Sequence, residues 1–156
     1  MRKFFLGFII ISLFGCKEKN RNFYGIGEFK LDTEFKNLSS AKLFRSISKN
    51  VSKADSLKIS EEVGFVKNLI VKTDNGKIYA VEFDCSDSTN IFAIDSLMKD
   101  FEKYNSINNN TENNSTPIQI NQLSDGNVIL QKSRQKSSNQ ISYSYSDIKK
   151  VLKYAN

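Results

Sequence analysis

The sequence contains no histidine and no tryptophan, and only one proline and two cysteines occur among its 156 residues. Without histidine, the chain can form neither a Ser-His-Asp triad nor a Cys-His pair, and it cannot hold a metal through imidazole. No phosphate-binding loop is present, because Gly25-Ile26-Gly27 lacks a third glycine and a Lys-Ser or Lys-Thr ending. These absences exclude triad hydrolases, Cys-His enzymes and P-loop nucleotidases.

Long apolar runs are absent except near the N-terminus, where the stretch from Phe4 to Phe14 is mainly apolar. Arg2 and Lys3 precede it and polar residues follow it, an arrangement typical of a signal peptide. The stretch is too short for a transmembrane helix, which needs about twenty apolar residues. We therefore interpret residues 1–15 as a signal peptide that is cleaved from the mature protein.

The end of this stretch, Leu13-Phe14-Gly15-Cys16, resembles the lipobox of bacterial lipoproteins. Such a motif has an aliphatic residue three positions before the cysteine and a small residue directly before it. The resemblance implies that the Cys16 thiol accepts a diacylglycerol and that its amine is acylated after cleavage. Two or three acyl chains anchor a protein stably to a membrane. The alternative is a secretory signal with an incidental cysteine.

Residue 17 supports a location in the bacterial cell envelope, at the outer membrane. It is a lysine, whereas an aspartate at this position retains many lipoproteins at the inner membrane. Lys17-Glu18-Lys19 matches only part of the surface-display signal of Bacteroidota lipoproteins, so the leaflet is left open. We interpret residues 16–22 as a lipidated cysteine followed by a short polar segment. These seven residues together are called the tether below.

The net charge of the chain is mildly positive. Cleavage would remove Arg2 and Lys3 and no acidic residue, which lowers the formal charge from +6 to +4. That excess favours anionic neighbours such as lipid headgroups, but it is too small to indicate nucleic-acid binding. Lys149, Lys150 and Lys153 lie in a basic C-terminal region and form a candidate binding face, with a solvated helix face as the alternative.

The rest of the chain, residues 23–156, is the size of one domain. Two glycines before Phe29 suggest a turn into a short strand, and apolar residues at Phe35, Leu38, Ala41 and Phe44 suggest a helix between Thr33 and Ser48. Residues 49–64 are polar and ambiguous.

The strongest local signal is Asn75-Gly76, which predicts a two-residue hairpin loop between strands at 66–73 and 79–85. Alternation in the second strand assigns four residues to the core: Tyr79, Val81, Phe83 and Cys85. The polar residues 87–90 then supply helix caps, and helical spacing from Ile91 to Tyr104 predicts a long helix.

A similar order of elements follows an Asn-rich stretch at 105–116, which we expect to be a flexible loop. Strands are predicted at 118–120, 127–132 and 140–146, with Ile141, Tyr143 and Tyr145 on one face. A helix follows from Asp147. Strand-turn-strand-helix thus occurs at 66–104 and again at 127–155. The expected fold class is α+β: an antiparallel sheet built from hairpins, with helices packed on one face, after an N-terminal lipoprotein signal peptide.

Several strings of this sequence resemble small Bacteroidota envelope lipoproteins. They are the glycine-containing string at 26–31, the Asn75-Gly76 hairpin, the helix end at 101–104 and the alternating string at 141–147. Some of those proteins resemble the modules of outer-membrane assembly lipoproteins and β-lactamase-inhibitor-like proteins. The resemblance implies a helix-plus-sheet fold and transfers no catalytic residue.

Few residues remain as candidates for chemistry. Cys85 is the only cysteine besides Cys16, and we interpret it as a buried apolar residue rather than as a reactive thiol. Asp84, Asp87 and Asp95 can be read as an acidic cluster, but they lack the glycine and terminal glutamate of a calcium loop. We therefore expect no metal and no cofactor.

These observations favour a non-enzymatic, lipid-anchored module that binds another protein of the envelope. An inhibitor or immunity lipoprotein is the alternative of the same class. The alternative of another class is a hydrolase of envelope polymers that uses carboxylates alone, with Glu82 and Asp84 as its candidates.

Overall fold

A computed structural model of the chain describes residues 23–99, 106–107, 118–122, 128–134 and 140–155. Residues 1–15 and the tether, including Cys16, lie outside this part, as do positions 105 and 108–116 of the expected Asn-rich loop. Residues 106–107, which the sequence assigns to the same loop, form a short strand instead. No helix in the described part is both long enough and apolar enough to cross a bilayer.

The described residues form strands and two α-helices, which confirms an α+β fold with an antiparallel sheet. The strands are β1 (Gly25–Ile26), β2 (Phe29–Lys30), β3 (Arg45–Ser48), β4 (Val51–Ser60), β5 (Gly64–Asp74), β6 (Lys77–Cys85), β7 (Ser106–Ile107), β8 (Ile118–Gln122), β9 (Val128–Arg134) and β10 (Ile141–Asp147). The helices are α1 (Ser88–Lys99) and α2 (Ile148–Ala155). β1 pairs with β2, and the others form one eight-stranded sheet in the order β3-β4-β5-β6-β10-β9-β8-β7.

The β5–β6 hairpin forms where Asn75-Gly76 predicts it. Asp74 pairs with Lys77, and the two residues between them have positive φ values of 51° and 80°. Asparagine and glycine tolerate this left-handed backbone, which is why the turn is readable from two residues. The predicted cap of α1 is also confirmed, because the Asp87 carboxylate accepts hydrogen bonds from the backbone N–H groups of Thr89 and Asn90.

One face of the sheet carries the core. Its largest fully buried side chains include Phe83, as the alternation in β6 predicts, and Tyr143 and Tyr145, as the alternation in β10 predicts. Two elements cover this core face: the N-terminal segment 23–44, through Phe23, Ile26 and Phe29 among others, and α1, through Ile94. The segment can approach so closely because Gly27 has no side chain, and a β-carbon there would overlap the carbonyl oxygen of Ile59.

The helix predicted between Thr33 and Ser48 is wrong. Two short 3₁₀ turns, Phe35–Asn37 and Ala41–Leu43, occupy this segment, and β3 follows them. The apolar residues recur every three positions, which matches the three residues per turn of a 3₁₀ helix better than the 3.6 of an α-helix. Their burial against the core is therefore achieved without a continuous helix.

The assignment of Tyr79 to the core is also wrong. Ile78 is fully buried instead, and the register shifts there, because Lys72 pairs with Ala80 whereas Thr73 pairs with Ile78. One extra residue on β6 makes a β-bulge, which reverses the alternation beyond it. Val81, Phe83 and Cys85 are buried in the core as predicted.

The two helices lie on opposite faces of the sheet, so the expectation that they share one face is wrong. Ile94 of α1 belongs to the core, whereas α2 lies over the outward-facing Ala80 and Ser146, with Val151 and Tyr154 beside them. At that end of the sheet, the N-terminal segment already occupies the core face. Only the opposite face is left for the apolar side of α2. The ambiguous residues 49–64 contain all of β4 and the turn that follows it.

Candidate functional site

The face opposite the core is called the open face below, and within the described part of the chain α2 covers it at one end only. Strand register places its residues in rows across four strands. One row runs through Lys67, Asp84, Ser142 and Ser133, and the next runs through Ile70, Glu82, Ser144 and Gln131. Apart from the exposed Lys67, the rows are half-buried and mostly polar, because neighbouring side chains screen one another although no described residue forms a layer above them.

Two adjoining cavities of about 320 and 330 Å³ lie along this face. They share Glu82, Gln131 and Ser144, and together we call them the sheet groove. One end is lined by Asn68, Ile70, Asp84 and Ser142, and the other by Lys72, Tyr79, Val151 and Tyr154. The groove is therefore polar in its middle and aromatic at the end bounded by α2.

The polar groups of the groove are paired with one another. Lys72 Nζ lies 2.5 Å from Glu82 Oε1, and Ser144 Oγ donates to Gln131 Oε1 over 3.1 Å. Asp84 accepts hydrogen bonds from Asn68 Nδ2 at 2.8 Å and from Ser142 Oγ at 2.6 Å. These contacts preorganise the floor of the groove and neutralise the charge of Glu82.

The aromatic end is fixed by a cluster around Asp74. The rings of Tyr79 and Tyr154 stack with centroids 5.4 Å apart, and the Tyr154 hydroxyl donates to Asp74 Oδ1 over 2.5 Å. Lys153 Nζ lies 3.2 Å from Asp74 Oδ2. The hydrogen bond from Tyr154, followed by that from Lys153, lowers the pKa of Asp74, and the bonds to Asp74 raise the pKa values of both partners. This cluster fastens α2 to the β5–β6 hairpin.

We predict that acidification weakens this attachment. Asp74 has a folded-state pKa below its unfolded value of about 3.9, so its contribution to stability is present above that value and is lost as the pH falls through the folded pKa. Carboxyl-carbon NMR titration should give a lower pKa for Asp74 in the wild type than in Tyr154→Phe. Equal pKa values in the two proteins would contradict the assigned role of the hydroxyl.

The structure does not bring the three aspartates of the acidic cluster together. Asp84 lies on the open face, whereas Asp87 caps α1 and Asp95 lies on the core side. There Asp95 contacts Lys132 Nζ at 2.7 Å and accepts a hydrogen bond from the Tyr143 hydroxyl at 3.0 Å. Among the described residues, no three acidic or cysteine side chains are grouped as a metal site would require.

Cys85 is buried in the core at 3% exposure. Burial raises the pKa of its thiol to about 12, and the nearby charges of Asp84 and Asp87 act in the same direction. The thiolate, which is the reactive form, is therefore strongly disfavoured in the folded protein.

We predict that Cys85 reacts slowly with a thiol reagent at pH 8 in the folded protein and rapidly in denaturant. Phe65→Cys provides a matched control, because Phe65 is 65% exposed and a thiol there should react at the rate of a free cysteine. Comparable rates at the two positions in the folded protein would reopen a redox function for Cys85.

The three lysines of the candidate basic face all lie on α2, but two of them already have acidic partners. Lys150 Nζ lies 3.2 Å from Asp32 Oδ1, and Lys153 pairs with Asp74. In the sequence, Asp147 is the only acidic residue near these three lysines. Asp32 and Asp74 are distant along the chain and reach the lysines only in the folded protein. Lys149 is exposed and makes no ion pair within the described part of the chain.

Sequence inspection missed the groove itself. The alternating serines at positions 142, 144 and 146 indicated a polar face, but the shape depends on the pairing of β6 with β10 across 58 residues of chain. Comparison with known proteins adds no relative: no family model, no curated protein and no solved structure matches the chain.

Proposed function

We propose that this protein is a lipid-anchored component of the bacterial cell envelope, held to the outer membrane through Cys16, that binds a protein partner in the sheet groove. It acts without catalysis, cofactor or metal. The signal peptide at 1–15 and the lipobox support the address, and the open face supports the binding role. The single observation that carries the binding role is the groove that the described residues leave open on that face.

The lining of the groove suits a protein partner. Interfaces between proteins are about as apolar as the rest of the surface, are enriched in tyrosine and contain many hydrogen bonds. Tyr79 and Tyr154 supply an aromatic anchor at one end, with Gln131 and the serines of β10 as hydrogen-bonding groups beside it. A small-molecule site would instead require polar groups converging in an apolar pocket.

The paired carboxylates argue against the hydrolase alternative. A general acid needs a carboxyl group kept protonated by an apolar surrounding. Glu82 lies against the Lys72 ammonium, and Asp84 accepts two hydrogen bonds. Both groups therefore have structural roles in the floor of the groove.

The test compares two Ser→Tyr variants by crosslinking in intact cells and affinity capture. Ser144→Tyr fills the middle of the groove, whereas Ser56→Tyr makes the same change at an exposed position of β4 outside it. We expect the wild type and Ser56→Tyr to capture one and the same envelope protein, and Ser144→Tyr to lose it. Aromatic residues are well tolerated in strands, so both variants should fold.

Two results would overturn the proposal. One is equal capture by both variants. The other is the absence of a partner together with turnover of peptidoglycan or glycan that disappears in Glu82→Gln or Asp84→Asn.

A further inference from the structure

Lysines, most of them exposed, gather at the end of the sheet where β5 turns into β6. Lys77 begins β6, Lys149, Lys150 and Lys153 lie on α2, and Lys30 is exposed on β2. Asp32 and Asp74 pair with lysines of this set, and the Asp147 carboxylate accepts a hydrogen bond from the backbone N–H of Lys149. A fourth carboxylate, on Glu34 beside Lys77, is paired with a further lysine, Lys36. The cluster therefore has an excess of positive charge even after its internal ion pairs are counted.

The chain enters the domain at this same end. Phe23 is buried against Tyr145 with ring centroids 5.2 Å apart. The carbonyl oxygen of the next residue, Tyr24, accepts a 2.6 Å hydrogen bond from the N–H of Leu31. Asp32 follows directly, and its carboxylate lies 3.2 Å from Lys150 Nζ and 3.7 Å from Lys77 Nζ. A continuous series of contacts thus joins the first described residues to α2.

The length of the tether limits how far this end can lie from a membrane. Seven residues, 16–22, separate the start of the domain from the preceding chain. Fully extended, they span at most about 25 Å. With Cys16 lipidated, as the proposed function holds, the end that carries the lysines stays within that distance of the headgroups.

Two exposed apolar side chains accompany the lysines. Leu152 is 59% exposed on α2, between Lys149 and Lys153 in sequence, and Tyr24 is 60% exposed where the chain enters. Helices that lie in a membrane interface combine apolar residues with flanking lysines, and tyrosine is enriched at the headgroup level. Neither side chain lines the groove on the other side of α2.

We propose that this lipid-facing end, defined by Tyr24, Lys30, Lys77, Lys149 and Leu152, docks on the anionic headgroups of the membrane that holds the tether. Leu152 and Tyr24 enter the headgroup layer, and the lysines attract the phosphates. The acyl chains then act as one attachment and the protein surface as a second, which fixes the orientation of the sheet groove. The inference depends on the anchor of the proposed function but not on its partner.

The test uses the mature, lipidated full-length protein in vesicles that contain a headgroup-quencher lipid. A fluorophore is attached at Leu152→Cys and, as a matched control, at Phe65→Cys, which is equally exposed at the opposite end of β5. In phosphatidylglycerol vesicles, we expect strong quenching at 152 and little at 65. Quenching at 152 should decrease in pure phosphatidylcholine and as salt shortens the Debye length from about 10 Å at 0.1 M to about 3 Å at 1 M.

A charge variant isolates the electrostatic part. Lys30→Glu with Lys149→Glu leaves the ion pairs of Asp32 and Asp74 intact. We expect the ratio of docked to undocked protein to fall at least about thirtyfold, as the loss of two lysines from an anionic surface implies. Lys42→Glu with Lys67→Glu makes the same charge change elsewhere and should have little effect.

Equal quenching at 152 and 65, or quenching at 152 that ignores lipid charge, would overturn the docking surface while leaving the anchor in place. Release of the protein from the vesicles would overturn the anchor and the surface together. Loss of partner capture alone would concern the groove and not this surface.

Discussion

Replacement of Tyr145 by phenylalanine is expected to lower the free energy of unfolding by about 2 kcal/mol. The Tyr145 side chain is fully buried, and its hydroxyl donates a 2.5 Å hydrogen bond to the carbonyl oxygen of Phe29. The same hydroxyl accepts a 3.3 Å hydrogen bond from the N–H of Ile26. Removing it leaves two backbone groups of the β1–β2 hairpin buried without partners, and each such group costs about 1–3 kcal/mol.

Urea unfolding followed by circular dichroism measures this effect. Tyr79→Phe is the matched control, because the Tyr79 hydroxyl makes no hydrogen bond within the described part of the chain and its loss should change stability by less than about 0.5 kcal/mol. Burial raises the pKa of Tyr145 far above its ordinary value, so the neutral phenol is the form that supports the hairpin. Equal stabilities of the two variants would show that the hydroxyl does not hold the N-terminal segment to the sheet.

Replacement of Cys16 by alanine is expected to abolish lipid incorporation completely. Without its thiol, the chain has no acceptor for the diacylglycerol, and processing before residue 16 should fail as well. Each buried methylene contributes about 0.8 kcal/mol to membrane binding, so loss of two or three chains removes the anchor and not merely part of it.

Metabolic labelling with a radioactive fatty acid, followed by cell fractionation, measures this outcome. Cys85→Ala provides the control, because it removes the other cysteine and should keep full labelling. Equal labelling of Cys16→Ala and the wild type would contradict the lipoprotein assignment.

Local signals predicted much of the fold. Asn75-Gly76 predicted its turn because the backbone conformation depends on those two residues alone, and the alternation at 141–145 predicted a strand with one buried face. The Asp87 cap was predictable for the same reason, since its hydrogen bonds reach only two and three residues ahead.

Features that depend on pairing between distant residues were not predictable. The bulge near Tyr79 becomes visible only when β6 is aligned with β5. Because of this bulge, Ile78 lies in the core and Tyr79 does not. The face chosen by α2 depends on what the N-terminal segment already covers. The neutralisation of Lys150 by Asp32 bridges 118 residues of sequence, so no local pattern records it.

The candidate site illustrates the same division. The sequence identified the lysines of α2 and the polar side of β10 separately. Only the assembled sheet shows that one side of α2 borders the groove through Val151 and Tyr154, while Leu152 and Lys149 lie outside its lining. That separation would allow the proposed partner binding and the proposed membrane docking to occur at the same time.

Site-specific photocrosslinking in intact cells tests the central claim most directly. A photoreactive amino acid is placed at Gln131, in the middle of the groove, and in a second protein at Ser56, outside it. We expect a single crosslinked envelope protein from position 131, absent from position 56 and lost when Ser144→Tyr fills the groove. The same adduct from both positions, or none from position 131, would contradict the claim that the groove binds a protein partner.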